Sequence, residues 1–109
     1  MITALPDSGS VVVPVADDWI ASGTPGFPMR QLVETDGLKL RVMRVEPGAY
    51  ADSHAHQAAE LVYILDGDFY DDAGPHLPGD CIIRAAGASH VAGSRNGATL
   101  LLVYAGGAV

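Results

Sequence analysis

A lone cysteine rules out any disulfide within the chain, since Cys81 has nothing to pair with. It stands in the apolar run Cys81-Ile82-Ile83 and is expected to be a small buried hydrophobe. Basic residues are scarce too: 6 Lys and Arg against 13 Asp and Glu leave a formal charge of −7, and the basic residues are scattered. Such a chain has no electrostatic footprint for phosphate backbones or anionic lipid, which removes nucleic acid and membrane surfaces from the expected partners. No apolar run approaches the roughly 20 residues that cross a bilayer as a helix. The N-terminus lacks the basic start and apolar stretch of a signal peptide, so the cytoplasm is the expected location.

Helical periodicity is nearly missing as well; the one expected helical turn is at Asp17 to Ala21. What is abundant is apolar residues, 49% of 109, punctuated by 13 glycines and 7 prolines. The length suits a single domain over residues 1–109, with residues 1–18 as an N-terminal arm and the Gly106 to Val109 tail loose. Short runs rich in Val, Leu, Ile and Tyr between turn residues predict an all-β fold. The expected strands are Val11 to Val15, Met29 to Val33, Leu38 to Glu46, His54 to His56, Glu60 to Leu65, Asp68 to Asp71, Asp80 to Arg84, His90 to Ala92 and Thr99 to Tyr104. Tight turns fall at Pro47-Gly48, Asp66-Gly67, Gly74-Pro75, Pro78-Gly79 and Asn96-Gly97, the last being the strongest hairpin signal. So many short antiparallel strands must close into a barrel or pack as two sheets, because open edges invite aggregation.

Chemistry concentrates in the segment from Gly48 to Gly67, where His54, His56 and Glu60 all have even numbers. In an extended chain they share one face with Ala58, Val62 and Ile64. If that face points outward, Val62 and Ile64 are exposed; if it points inward, a carboxylate and two imidazoles are buried without compensation. Coordination of a metal ion resolves the conflict.

Residues 48–67 read G-x5-H-x-H-x3-E-x6-G, and this resembles motif 1 of the cupin superfamily of RmlC-like proteins at every defined position. Residues 79–94 resemble motif 2: Gly79, Gly87 and His90 fall in place, whereas Ala85 stands where proline is usual and Ser94 where asparagine is. The resemblance implies a single-domain cupin β-barrel, a jelly roll or double-stranded β-helix. It also implies one divalent metal ion, Fe(II), Zn(II), Mn(II), Ni(II) or Co(II), held by His54, His56, Glu60 and His90 with positions left open for water or substrate. The acidic hairpin after motif 1 and the Gly87-Ala88-Ser89-His90 turn are similar to the subgroup that contains ChrR-type anti-sigma factors and the dioxygenases cleaving acetylacetone.

Several other residues are weighed. Arg44 shares parity with Leu38, Leu40 and Val42; it either enters the cavity to orient an anionic or enolate oxygen, or points outward beside Glu46. Val62, Ile64, Ala58 and Tyr50 are the expected pocket wall; Tyr63 and Tyr104 are either pocket donors or core. Glu60 doubles as a ligand and an acid or base. Trp19 is expected in the core or an interface, His76 in a solvated loop, and Asp66, Asp68, Asp71 and Asp72 in a solvated, edge-protecting hairpin. The subgroup resemblance implies a non-haem Fe(II) dioxygenase acting on a small apolar ketone. A metal-dependent cyclase or isomerase is the first alternative, and a zinc-binding sensor the second; the short arm before Trp19 speaks against the sensor. Exposed sheet edges and the run Val11-Val12-Val13-Pro14-Val15 predict a homodimer.

Overall fold

Glycine and proline cut the chain into short extended runs, and nine of these pair as strands among residues 1–14 and 18–106, the part that the computed structural model describes. In chain order they are β1 (Met29–Thr35), β2 (Leu38–Val45), β3 (Tyr50–His54), β4 (Ala59–Gly67), β5 (Phe69–Asp71), β6 (Gly74–His76), β7 (Cys81–Arg84), β8 (His90–Gly93) and β9 (Ala98–Ala105). Two antiparallel sheets result, a five-stranded one in the order β1-β2-β9-β4-β7 and a four-stranded one in the order β3-β8-β5-β6. No helix occurs among the described residues, and the all-β jelly roll of a cupin is the architecture.

The register of the larger sheet sets side chains in rows across the strands. One row runs Arg84, Glu60, Tyr104, Lys39; the next runs Ile82, Val62, Leu102, Arg41; a third joins Ile64, Leu100 and Met43. Ile64, Leu100 and Val45 are almost fully buried with Phe69 and Phe27, and each such side chain stabilises the fold by about 1.5–3 kcal/mol. The apolar rows fill one half of the interior, and the polar row lies at the other end.

Corners between the sheets depend on specific groups. Gly67, at φ 83°, ends β4 where a Cβ would collide with the Gly97 carbonyl, so only glycine fits. Asn96-Gly97 is not a hairpin turn: β8 and β9 belong to different sheets, and the turn carries the chain from one to the other. Asp68 accepts bonds from the Arg95 and Asn96 amides there, and the buried Ser94 hydroxyl accepts one from Gly97 N at 2.8 Å. Ala85 closes its turn without proline, since Ala88 N donates to Ala85 O at 3.1 Å.

Other expectations need correction. Residues Val11 to Pro14 form no strand, and Val15 lies outside the described residues. Residues 18–21 form no helical turn; Ile20 instead bridges Met29, while Asp17 is outside the described residues, as is the tail beyond Gly106. Gly74–His76 is a strand, missed because Pro75 within it reads as a turn. Cys81 is exposed, because β7 is an edge strand and Cys81 faces outward beside Tyr63.

Candidate metal centre

The strand expected at His54 to His56 is displaced: β3 ends at His54, and residues 55–58 cross from the smaller sheet to the larger. His54, His56 and Glu60 therefore do not share one strand. His54 pairs directly with His90 across β3 and β8, which puts both imidazoles on the same side, with their ring centroids 4.3 Å apart. His56 is positioned by the crossing itself, whose carbonyl accepts a 2.7 Å bond from Gly87 N in the turn before β8. Glu60 arrives from the opposite sheet, in the second place of the polar row.

The three histidines each present a ring nitrogen within 4.8 Å of the others. His54 Nδ1 donates to Asp52 O at 2.8 Å and His90 Nδ1 to Ala88 O at 3.3 Å, because a carbonyl can only accept. That fixes the tautomer and leaves both Nε2 lone pairs free for an ion. Burial pushes the His56 imidazole below its usual range, against the opposing charge of Glu60. His90 is lowered by burial and by the Arg84 charge. Neutral imidazole is the ligating form, so both shifts favour His56 and His90 as ligands.

Glu60 Oε2 lies 3.6 Å from His56 Nε2, and its Oε1 lies 3.8 Å from His90 Nε2. Oε1 also accepts a 3.1 Å bond from Arg84 Nε. Arg84 reaches Asp71 Oδ2 at 2.9 Å, and Asp71 Oδ1 is 2.7 Å from His76 Nε2, so a chain of polar side chains runs from the site through three strands. Burial pushes the Asp71 carboxyl up, but His76, Arg84 and the Ala73 amide together hold it below the ordinary range. Asp71 is thus a buried structural anion rather than part of a solvated hairpin, and His76 its partner on a strand rather than a solvated loop residue. Asp72 accepts from Val91 N at 3.1 Å.

A cavity of about 150 Å³ opens on the histidines, walled by Phe27, Met43, Val62, Leu100 and Leu102. Val62 is in this wall as expected. Ile64 lies deeper in the core, Ala58 lines an adjoining groove, and Tyr50 is exposed. Arg44 lies outside the cavity, its guanidinium 4.3 Å from the centroid of the half-buried Trp19 ring. Arg41 and Arg84 are the guanidiniums in the cavity wall. Of the two readings of Arg44 the outward one holds, because Leu38, Leu40 and Val42, which share its parity, lie on the outer face, while Lys39, Arg41 and Met43 face inward. Tyr104 is core and pocket wall at once, its ring 4.8 Å from that of His56; burial and the Glu60 charge raise its phenol well above the usual range.

The donor set fits a borderline divalent ion: three imidazoles, two of them with tied tautomers, and an adjacent carboxylate, open to a cavity on one side. The ring nitrogens, within 4.8 Å of one another, stand further apart than the ~3.4 Å between neighbouring ligands of a tetrahedral ion with bonds of ~2.1 Å, so the imidazoles would close in on binding one.

Among solved structures the chain is similar to the polyketide cyclase RemF from Streptomyces resistomycificus, at TM-score 0.73 and 20% identity over 87% of this chain and 80% of that one. It is also similar to the anti-sigma factor ChrR from Rhodobacter sphaeroides, seen in complex with SigE, at TM-score 0.71 and 22% identity over 81% of this chain and 50% of that one. The DMSP lyase DddQ from Ruegeria pomeroyi DSS-3 gives TM-score 0.68 and 22% identity over 82% and 56%. The chain thus spans about half the length of several proteins it resembles, including a cupin-like protein of unknown function from Ralstonia eutropha of which it covers 57%. At these identities the likeness shows the fold alone. No curated protein matches the chain. Residues 8–109 match the family described as the ChrR Cupin-like domain, and with nearly the whole chain covered, this protein belongs to that family.

Proposed function

We propose that this protein is a mononuclear metal-dependent enzyme acting on a small enolisable ketone, with oxidative cleavage by dioxygen as its reaction. The observation that carries the reading is the trio of imidazoles, two with tied tautomers, opening on an apolar cavity. His54, His56 and His90 would hold the ion, with Glu60 as the fourth ligand; Fe(II), Mn(II), Co(II), Ni(II) and Zn(II) all suit this set. When bound, the ion supplies Lewis acidity toward an enolate and, if redox-active, electrons for oxygen chemistry.

The chain's own residues do the rest. Phe27, Val62 and Leu102 exclude water and seat an apolar body. Arg84 holds one oxygen of Glu60, which leaves the other facing the histidines. The cavity, about 150 Å³, is below the roughly 300–1,000 Å³ that takes drug-sized ligands, which favours a small substrate over a polycyclic one.

A cyclase or isomerase is the second reading, and one observation favours it. Tyr104 lies beside Glu60 with its phenol kept protonated, so the pair has a proton to give and a carboxylate to take one. A sensor that binds a protein partner is the third.

Oxygen uptake separates them. Fe(II)-loaded protein should consume oxygen in step with loss of acetylacetone or a hydroxyaryl ketone, and Zn(II)-loaded protein should be inactive because zinc has no redox chemistry. Turnover of such a ketone by the zinc form under anaerobiosis would defeat the dioxygenase and promote the cyclase.

A further inference from the structure

We propose that Arg41 binds an anionic oxygen group of the substrate, so that the cavity takes a small oxo-carboxylate in preference to a neutral diketone. The proposal rests on the enzyme reading above and names its substrate class.

Arg41 faces inward from β2, one row along the sheet from Glu60 and Tyr104. It lines both the cavity and the groove beside His56, and its guanidinium carbon lies 5.6 Å from the centroid of the Tyr104 ring. Its Nε is buried and has no hydrogen-bond partner among the described residues. Buried donors are nearly always satisfied, so an orphan Nε on a side chain that lines a cavity marks a guanidinium with room for an acceptor that arrives with a ligand.

The charges point the same way. Arg84 is matched by Asp71, and Glu60 offsets one of the two charges of a divalent ion, whereas Arg41 forms no ion pair among the described residues. Two positive charges therefore remain once the site is loaded. An enolate oxygen at the ion satisfies one, and a carboxylate on the planar fork of Arg41 satisfies the other. A neutral diketone leaves Arg41 unpaired in a cavity that excludes water.

Acetoacetate and acetylacetone test this, because they differ chiefly by a carboxylate in place of an acetyl group. Binding is titrated by calorimetry and by the visible spectrum of Co(II)-loaded protein, in the wild type, Arg41→Met and Arg41→Lys. Wild type should prefer acetoacetate by about tenfold or more, as a charge-assisted hydrogen bond implies. Arg41→Met should lose that preference, with acetoacetate weakened far more than acetylacetone, and Arg41→Lys should keep part of it. Equal acetoacetate affinity in wild type and a cobalt-loaded Arg41→Met overturns the proposal. So does equal weakening of both ligands, which would mark Arg41 as a support for Tyr104. If Arg41→Met does not fold, Arg41→Lys decides alone: its selectivity must fall. Failure of wild type to bind cobalt is a failure of the metal reading, and acetoacetate titrated into metal-free protein then decides the anion site through the same variants.

Discussion

Replacing Arg84 by Met removes the only cation between two buried carboxylates among the described residues. The side chains of Arg84, Glu60 and Asp71 are 10%, 5% and 1% exposed, so water cannot replace the lost partner. Breaking a buried pair in this way costs about 3–5 kcal/mol, because the charges left behind stay desolvated. A domain of this size is stable by about 5–15 kcal/mol, and each kcal/mol moves its melting point by about 4–8 °C. The metal-free variant should therefore melt on the order of 20 °C below wild type. The effect of pH follows from Asp71, whose folded pKa is depressed. In wild type its contribution is complete above the unfolded value of about 3.9 and is lost as pH falls through the lower folded value. In the variant burial acts with fewer opposing bonds, the folded pKa rises, and protonation relieves the buried charge. The gap between the two proteins should be widest near neutral pH, narrow above pH 4 as the variant's carboxyl protonates, and close below it as the wild type loses its own contribution. Urea denaturation of both apoproteins between pH 7 and about pH 3 measures it. A loss under about 1 kcal/mol, the worth of an exposed pair, refutes the reasoning. So does a gap that stays constant with pH.

Two further outcomes are expected. His54→Ala and His90→Ala should each lose the bound metal in elemental analysis yet keep the β-sheet circular dichroism, and metal at a hundredfold its Kd should stabilise only the wild type, by about 2.7 kcal/mol; full occupancy in both variants would mean that other residues hold the ion. The protein should run as a dimer in light scattering, with Ile83→Glu shifting it to monomer, since Leu61, Tyr63 (39% exposed) and Ile83 (69% exposed) form an apolar outer face on β4 and β7; wild type that is monomeric at micromolar concentration defeats this.

Local sequence was enough for the strands that are continuous apolar runs between turn residues, such as β4 and β9, and for the glycines that end them. It was also enough to bring His54, His56, Glu60 and His90 together as candidates, because the motif spacing records which positions meet. Parity along one extended strand is not how the fold brings them near one another: His54 and Glu60 lie on different sheets, joined by a crossing that only the paired register of β3 with β8 and β4 with β9 defines. Side-chain facing in β2 was undecidable from its pattern, since both faces carry apolar residues, and the choice of Arg41 over Arg44 as the cavity's cation came from which face meets the second sheet. Asp71 and His76 are separated from Arg84 in the chain by turns, and both read as solvated residues. Their burial and mutual bonding depend on β5, β6 and β7 being folded over the same interior, and no local rule carries that long-range pairing.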